Sequence, residues 1–260
     1  MANAYKGVEG QRVLVTAGAS GIGRAIADLL IAHGARVQIC DVDEGFLADF
    51  TAAHPDAGAM RADVAVEAEV DRLFDVVAES LGGLDALVNN AGIAGPTAAI
   101  EEIAPADWRR CIDVDLTGQF LCARRAVPLL KAAGGGSIVC MSSVAGKIGF
   151  AYRTPYSSAK FGVIGLAQAL ARELGPANIR VNAIQPGVVE GARIEDVIRN
   201  RAAVLGIGYE EMETRFLEHV SLRRMVTGDD VAAMVAFLLS DAGRNVSGQS
   251  IAVDANVETL

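Results

Sequence analysis

Tyr156 and Lys160 stand four residues apart in Tyr156-Ser157-Ser158-Ala159-Lys160. On a helix that spacing puts a phenol and an ammonium on one face, about one turn from each other. A free phenol titrates near pH 10, roughly, and a neighbouring cation stabilises its anion. The pairing therefore suits a side chain that gives or takes a proton near neutral pH. A β-branched run ending at Met141 delivers Ser142 and Ser143 just upstream. A hydroxyl at the carboxyl end of a strand can hydrogen-bond a substrate oxygen while Tyr156 moves its proton. With 4 tyrosines in the chain, the spacing alone is only suggestive, and its position is what strengthens it.

A second group of residues suits an anion. Thr16-Ala17-Gly18-Ala19-Ser20-Gly21-Ile22-Gly23 lies between an apolar strand pattern and a helical one. Glycines there let the backbone turn sharply and approach a pyrophosphate, whose charge is met by free N–H groups at the helix start. The spacing is G-x-x-G-x-G rather than the commoner G-x-G-x-x-G, and among 28 glycines it gains weight only from its strand–helix context. Twenty residues beyond Gly21 the next strand pattern ends in Cys40-Asp41-Val42-Asp43. A carboxylate at Asp41 can accept both hydroxyl protons of an adenosine ribose and would repel a 2′-phosphate, which favours NAD over NADP. Asp43 is the better placed of the two to cap the following helix. Arg24 is a candidate to hold a phosphate, so the preference stays open.

Positioning these groups requires a particular set of elements. Short β-branched runs alternate with longer segments of helical period, the pattern of a parallel sheet covered on both faces. Strands are expected at Arg12–Thr16, Arg36–Asp41, Ala59–Arg61, Ala86–Asn89, Ser137–Met141, Arg180–Ala183 and Ser250–Val253. Helices are expected at Ile22–His33, Val66–Leu81, Pro105–Lys131, Pro155–Leu174 and Asp229–Leu239, with prolines tolerated in the first turn. The fold class is thus α/β, a single doubly wound, Rossmann-like domain over residues 1–260 with a seven-stranded parallel sheet. Residues 188–224 break the rhythm with two helical segments, and an insertion at the carboxyl ends of parallel strands reads as a substrate lid.

Composition excludes several function classes. The chain has 260 residues, 52% of them apolar, and a net charge of −9, so it can bury a large core and has no electrostatic pull toward nucleic acid or anionic lipid. The apolar run Val231–Leu239 is far shorter than the roughly 20 residues of a bilayer span, and the N-terminus lacks an apolar signal core, which makes the cytoplasm the default. Cys40, Cys111, Cys122 and Cys140 lack C-x-x-C spacing and read as buried thiols. His33, His54 and His219 lack metal-ligand spacing and read as surface or helix-end residues, and Trp108 reads as packing.

Taken in order along the chain, these motifs resemble the short-chain dehydrogenase/reductase family over essentially the whole length. The likeness rests on T-x-G-x-x-G-x-G at 16–23, Asp41, Asp63-Val64, Asn89-Asn90-Ala91-Gly92, Ser143, Y-x-x-x-K, Arg180-Val181-Asn182, Pro186-Gly187, Ser247-Gly248-Gln249 and Val253-Asp254. The resemblance implies a nicotinamide cofactor and a small alcohol or ketone substrate. Tyr156 would be the general acid or base, Ser143 the carbonyl or alcohol anchor, and Lys160 the ribose ligand that acts on Tyr156. Gly18, Ser20, Gly21, Ile22, Gly23, Asn90, Gly92, Pro186, Gly187 and Val189 would line the cofactor cleft, with Asp63 and Val64 flanking adenine. It also implies a homo-oligomer, a dimer or tetramer packed through the helices that contain Trp108 and Tyr156.

Three positions depart from the family pattern. Ala17 stands where glycine is usual, Asp115 where Asn usually completes a proton relay, and Val188-Val189-Glu190-Gly191 where threonine often follows Pro-Gly. An ionised Asp115 accepts hydrogen bonds but donates none. Arg153 and Arg193 flank the expected pocket mouth: they read either as surface charge paired to Glu190 or Glu195, or as ligands of a polar or anionic substrate such as a hydroxy acid or sugar. The leading expectation is an NAD-dependent interconversion of a secondary alcohol and a ketone. Alternatives are a cofactor-binding regulatory protein that has lost turnover, and an epimerase or dehydratase of related fold, which the chain length disfavours.

Overall fold

Apolar runs that are buried on both sides need cover on both sides, and seven of them form one sheet in the computed structural model, which describes residues 5–257. They are β1 (Arg12–Thr16), β2 (Arg36–Asp41), β3 (Gly58–Arg61), β4 (Ala86–Asn89), β5 (Gly136–Met141), β6 (Ile179–Pro186) and β7 (Ser250–Val253). Every pair is parallel, in the order β3-β2-β1-β4-β5-β6-β7. Strand order reverses between β1 and β4, which opens a crevice at their carboxyl ends. Strand residues alternate between two cores: Leu14, Cys40, Leu87 and Ile138 pack on one face, Val13, Val15, Ile39 and Val139 on the other.

Nine α-helices are present among the described residues: α1 (Gly21–Ala32), α2 (Glu44–Ala53), α3 (Glu67–Leu81), α4 (Pro105–Ile112), α5 (Gly118–Ala132), α6 (Thr154–Leu174), α7 (Ala192–Leu205), α8 (Tyr209–Glu218) and α9 (Gly228–Leu239). Helices α3, α5 and α6 cover the first face and α1, α2 and α9 the second. Asp43 caps α2 by accepting from Phe46 N at 2.9 Å, as its position suggested. The three histidines all close helices, α1 at His33, α2 at His54 and α8 at His219. All four cysteines are free and buried, and burial pushes the thiols of Cys40, Cys111 and Cys140 up to about 12.

Three expectations are corrected. The single helix at 105–131 is divided by a π turn at Asp113–Thr117, a device that inserts an extra residue and swings a side chain inward. Here it buries Asp115, and the following Gly118 lets the chain close on Val64, since a Cβ there would meet the valine at 2.7 Å. Trp108 is a half-exposed residue beside Ile100 and Ile103 rather than core packing. The strand expected at 180–183 runs on to Pro186, paired with β7 through Val253. The segment expected to form a lid holds α7 and α8, tied to the body by bridges from Val189 to Val226 and from Val220 to Val257.

Candidate active site

Strand β5 ends at Met141, and the chain turns outward through the two serines. Ser143 caps a short 3₁₀ turn, its Oγ accepting from Ala145 N at 3.1 Å. Ser142 Oγ donates to the Lys160 carbonyl at 2.8 Å and faces the fold. Helix α6 carries Tyr156 and Lys160 across this turn, with Lys160 only 3% exposed. The Lys160 ammonium donates to Met141 O at 3.1 Å and lies 3.6 Å from Asp115 Oδ2. Its Nζ is 5.5 Å from the centre of the Tyr156 ring. Asp115 is wholly buried: Oδ1 accepts from Ile93 N at 2.6 Å, and Oδ2 accepts no hydrogen bond. The two groups face each other in the interior, where removal from water costs either one more without a partner of opposite sign.

Ser143, Tyr156 and Lys160 share the wall of one cavity of about 550 Å³ with Ser20, Gly21, Ile22, Gly23, Asn90, Gly92, Pro186, Gly187 and Val189. The glycine loop and the Ser–Tyr–Lys group, separated by over a hundred residues of sequence, therefore meet. Thr16 locks the loop: its Oγ1 accepts from the N–H groups of Asn90 and Ala91 at 3.0 and 2.9 Å, and Asn90 Nδ2 donates to the carbonyls of Thr16 and Ala17. Gly23 has to be glycine in this geometry, because a Cβ would stand 2.0 Å from Ala17 O. Ala17 itself adopts φ +49°, a left-handed conformation that explains why glycine is usual there.

Besides Asp115, five of the sequence-selected residues lie outside the cavity lining. Gly18 does not line the cavity; it packs on β2, where a Cβ would meet Ile39 at 2.6 Å. Asp41 closes β2, its Oδ2 accepting from Ala19 N at 3.3 Å and its Oδ1 from Val42 N at 2.8 Å. Asp63 Oδ2 accepts from Arg110 at 2.8 Å, and the Val64 side chain belongs to the core. Arg24, a candidate for a phosphate, donates instead to Asp28 at 2.6 Å and stacks on Phe50.

Neither Arg153 nor Arg193 forms an ion pair with Glu190 or Glu195 among the described residues, and Arg153, unlike the exposed Arg193, is not a surface charge. Arg153 is 3% exposed, lies 4.7 Å from the Tyr156 ring centre and 5.3 Å from that of Phe150, and donates through Nη2 to Ala94 O at 2.6 Å. Arg193, on the lid, donates to Gly92 O at 3.1 Å and lies 6.0 Å from the Tyr156 ring. Both line the cavity, as does Glu190. Sequence reasoning missed the apolar wall made by Phe150, Val197 and Phe216. For Val197 and Phe216 the signal was membership in the irregular segment 188–224; Phe150, three residues before Arg153, carried none.

A reversal of strand order, a glycine loop at that reversal and a Ser–Tyr–Lys group facing it define an oxidoreductase of the dinucleotide-binding type. A family model described as enoyl-(acyl carrier protein) reductase matches residues 16–256. Cis-4-hydroxycyclohexanecarboxylate dehydrogenase of Sinomonas cyclohexanicum is 41% identical over 249 residues, 93% of this chain and 94% of that protein. An uncharacterized short-chain type dehydrogenase/reductase of Sinorhizobium fredii is 37% identical over 259 residues, 96% and 98% of the two chains. The crystal structure of levodione reductase superposes with a TM-score of 0.89 at 32% identity, covering 96% of this chain and 97% of that one. The chain belongs to the short-chain dehydrogenase/reductase family.

Proposed function

We propose that the protein is an NAD-dependent dehydrogenase that interconverts a secondary alcohol and a ketone, with Tyr156 as general acid and base. The observation that carries this reading is the convergence of Ser143, Tyr156 and Lys160 with the glycine loop on one cavity wall. A bound nicotinamide supplies the hydride acceptor in oxidation and the hydride donor in reduction. In oxidation Tyr156 takes the hydroxyl proton while the carbinol C–H pair departs as hydride, leaving a ketone; reduction runs the same steps backwards. Ser143 Oγ holds the substrate oxygen, and Lys160 binds the ribose hydroxyls beside Tyr156 with Asp115 as its counter-charge. Gly18 shapes the loop, Asp41 takes the adenosine ribose, and Asp63 and Val64 stand at the adenine end. Supporting NAD over NADP, Asp41 sits at the end of β2, and Arg24 is engaged by Asp28.

The substrate is a polar or anionic alcohol, a reading supported by Arg153 and Arg193 on the cavity wall. A hydroxyl borne on an alicyclic ring is supported by the relative named for 4-hydroxycyclohexanecarboxylate. Four free buried thiols accord with a cytoplasmic setting. Exposed Trp108, Phe120 and Phe161 on α4, α5 and α6 support a dimer or tetramer packed through these helices.

The test is a panel of alicyclic and hydroxy-acid alcohols followed by NADH absorbance, with NADP in parallel. We expect turnover with NAD on ring alcohols and a loss on the order of 10³-fold in Tyr156→Phe, the scale of a lost general acid or base. NADH binding without turnover anywhere on the panel would favour the regulatory alternative.

A further inference from the structure

We infer that Arg153 is the anchor for a carboxylate on the substrate, so that the alcohol handled here is a monocarboxylic hydroxy acid. The inference rests on the alcohol–ketone reading and narrows its substrate class.

Arg153 is an anomaly by ordinary rules of burial. Lysines and arginines taken out of water are almost always paired. Arg153 is 3% exposed, makes a single hydrogen bond to Ala94 O, and leaves its Nε buried with no acceptor. Among the described residues no carboxylate forms an ion pair with it, whereas Lys160 nearby has Asp115. Burial pushes its guanidinium down from the usual range, and the like charge of Arg193 pushes the same way. A guanidinium does not shed its proton at working pH, so the way to relieve the site is an incoming anion.

Geometry places that anion in the reaction chamber. Arg153 lines the cavity, and it stacks on Tyr156, the residue proposed to move the substrate proton. An acid group held there would lie beside Tyr156, whose ring centre is 4.7 Å from the guanidinium carbon. The walls around it, Phe150, Val197 and Phe216, suit the hydrocarbon between the two functional groups. Charge balance selects the class of anion. The one buried guanidinium on the wall matches one negative charge, its planar fork matches a carboxylate, and Glu190, on the same wall with the exposed Arg193, opposes a phosphate dianion. Other arginines are less suited: Arg193 is engaged with Gly92 at an exposed position, and Arg201 is half-buried over Phe150 and Phe216 toward the back of the lid.

Two measurements on the full chain with saturating NAD test this. In the first, kcat/KM for 4-hydroxycyclohexanecarboxylate is compared with that for its neutral carboxamide. We expect a preference for the acid of about 100-fold, carried by KM, as for a buried polar group that a competitor leaves unpaired. In Arg153→Gln that ratio should fall to within about threefold, and Arg153→Lys should keep an intermediate ratio because the charge persists without the fork. In the second, binding of the unreactive cyclohexanecarboxylate and cyclohexanecarboxamide to wild-type protein and to Arg153→Gln is measured by calorimetry, which needs no turnover. Tighter binding of the acid, lost in Arg153→Gln, supports the anchor. Equal binding of acid and amide by wild-type protein overturns it, even if both alcohols are oxidised. Absence of turnover on every alcohol with preferential binding of the acid leaves the anchor standing and removes the alcohol–ketone reading instead.

Discussion

The two walls of the cavity are held in opposite ways. On the sheet side, Lys160 and Asp115 are buried and fixed by partners far away in sequence, Met141 and Ile93, while Thr16 and Asn90 tie the glycine loop to the end of β4. On the lid side, the ion pairs run within single helices, Asp196 with Arg199 and Glu211 with Arg215, and all four side chains are largely exposed. This segment meets the body through a small apolar cluster that includes Val188, Val197, Met212 and Phe216, the two bridges and the Arg193–Gly92 hydrogen bond. Proton and hydride transfer tolerate little misplacement, and the groups proposed to react sit on the tied edge. On the same proposal, a substrate that has to enter and leave is met by the segment with fewer ties. Arg153 belongs to the sheet-side wall, so on the proposed reading the anion would be the fixed feature of recognition and the hydrocarbon the adaptable one.

This division can be broken by experiment. Lys160→Ala should lower kcat on the order of 10³-fold, the scale of a disabled acid–base group, as followed by NADH absorbance. Phe216→Ala acting as deeply on kcat would end the distinction between the walls. Gly23→Ala should weaken NADH binding at least about tenfold in a fluorescence titration, because a Cβ 2.0 Å from Ala17 O forces the loop out of place. Phe216→Ala itself should raise KM about tenfold or less with kcat nearly held, since it removes a lid contact worth about 1.4 kcal/mol of binding.

Smaller effects sharpen the picture of the sheet as frame. At the opposite end of the strands, Asp85 takes two side-chain hydrogen bonds from Arg12, at 2.8 and 2.7 Å, which holds its carboxyl below the ordinary range. A depressed carboxyl stabilises the fold above its unfolded value of about 4 and loses that contribution as pH falls through its lower folded value. Asp85→Asn should therefore cost about 1 kcal/mol at pH 7, a modest figure because the pair is partly exposed, and the difference should shrink in acid on urea titration. Ala17→Gly should be the smallest change, a gain of about 0.5 kcal/mol from relief of the φ +49° backbone net of the added chain entropy. Thermal unfolding would register it as a rise of about 1–2 °C.

Wherever one stretch of chain carries its own pattern, the sequence was readable. Strand alternation, the glycine loop, Asp43 as a cap and the Tyr156–Lys160 spacing are local, and all are found as expected. The residues that line the glycine side of the cavity were largely legible for the same reason, since a strand-to-helix loop has few shapes available. Gly18 stands outside the cavity lining and packs against Ile39 on a neighbouring strand, a requirement no local pattern announces. The π turn at Asp113–Thr117 escaped notice because its periodicity differs from an α-helix by one residue, which is below what an apolar stripe resolves.

What the amino-acid order determined alone is the rhythm of strands and helices and the spacing of a phenol from an ammonium, because both follow from bonded geometry within a few turns of chain. Tertiary structure decided which charges have partners: Asp115 reaches Lys160 across 45 residues, while Arg153 is buried without an acid. Burial and pairing depend on elements brought together through space, and the field at the active site comes from that assembly rather than from neighbours along the chain.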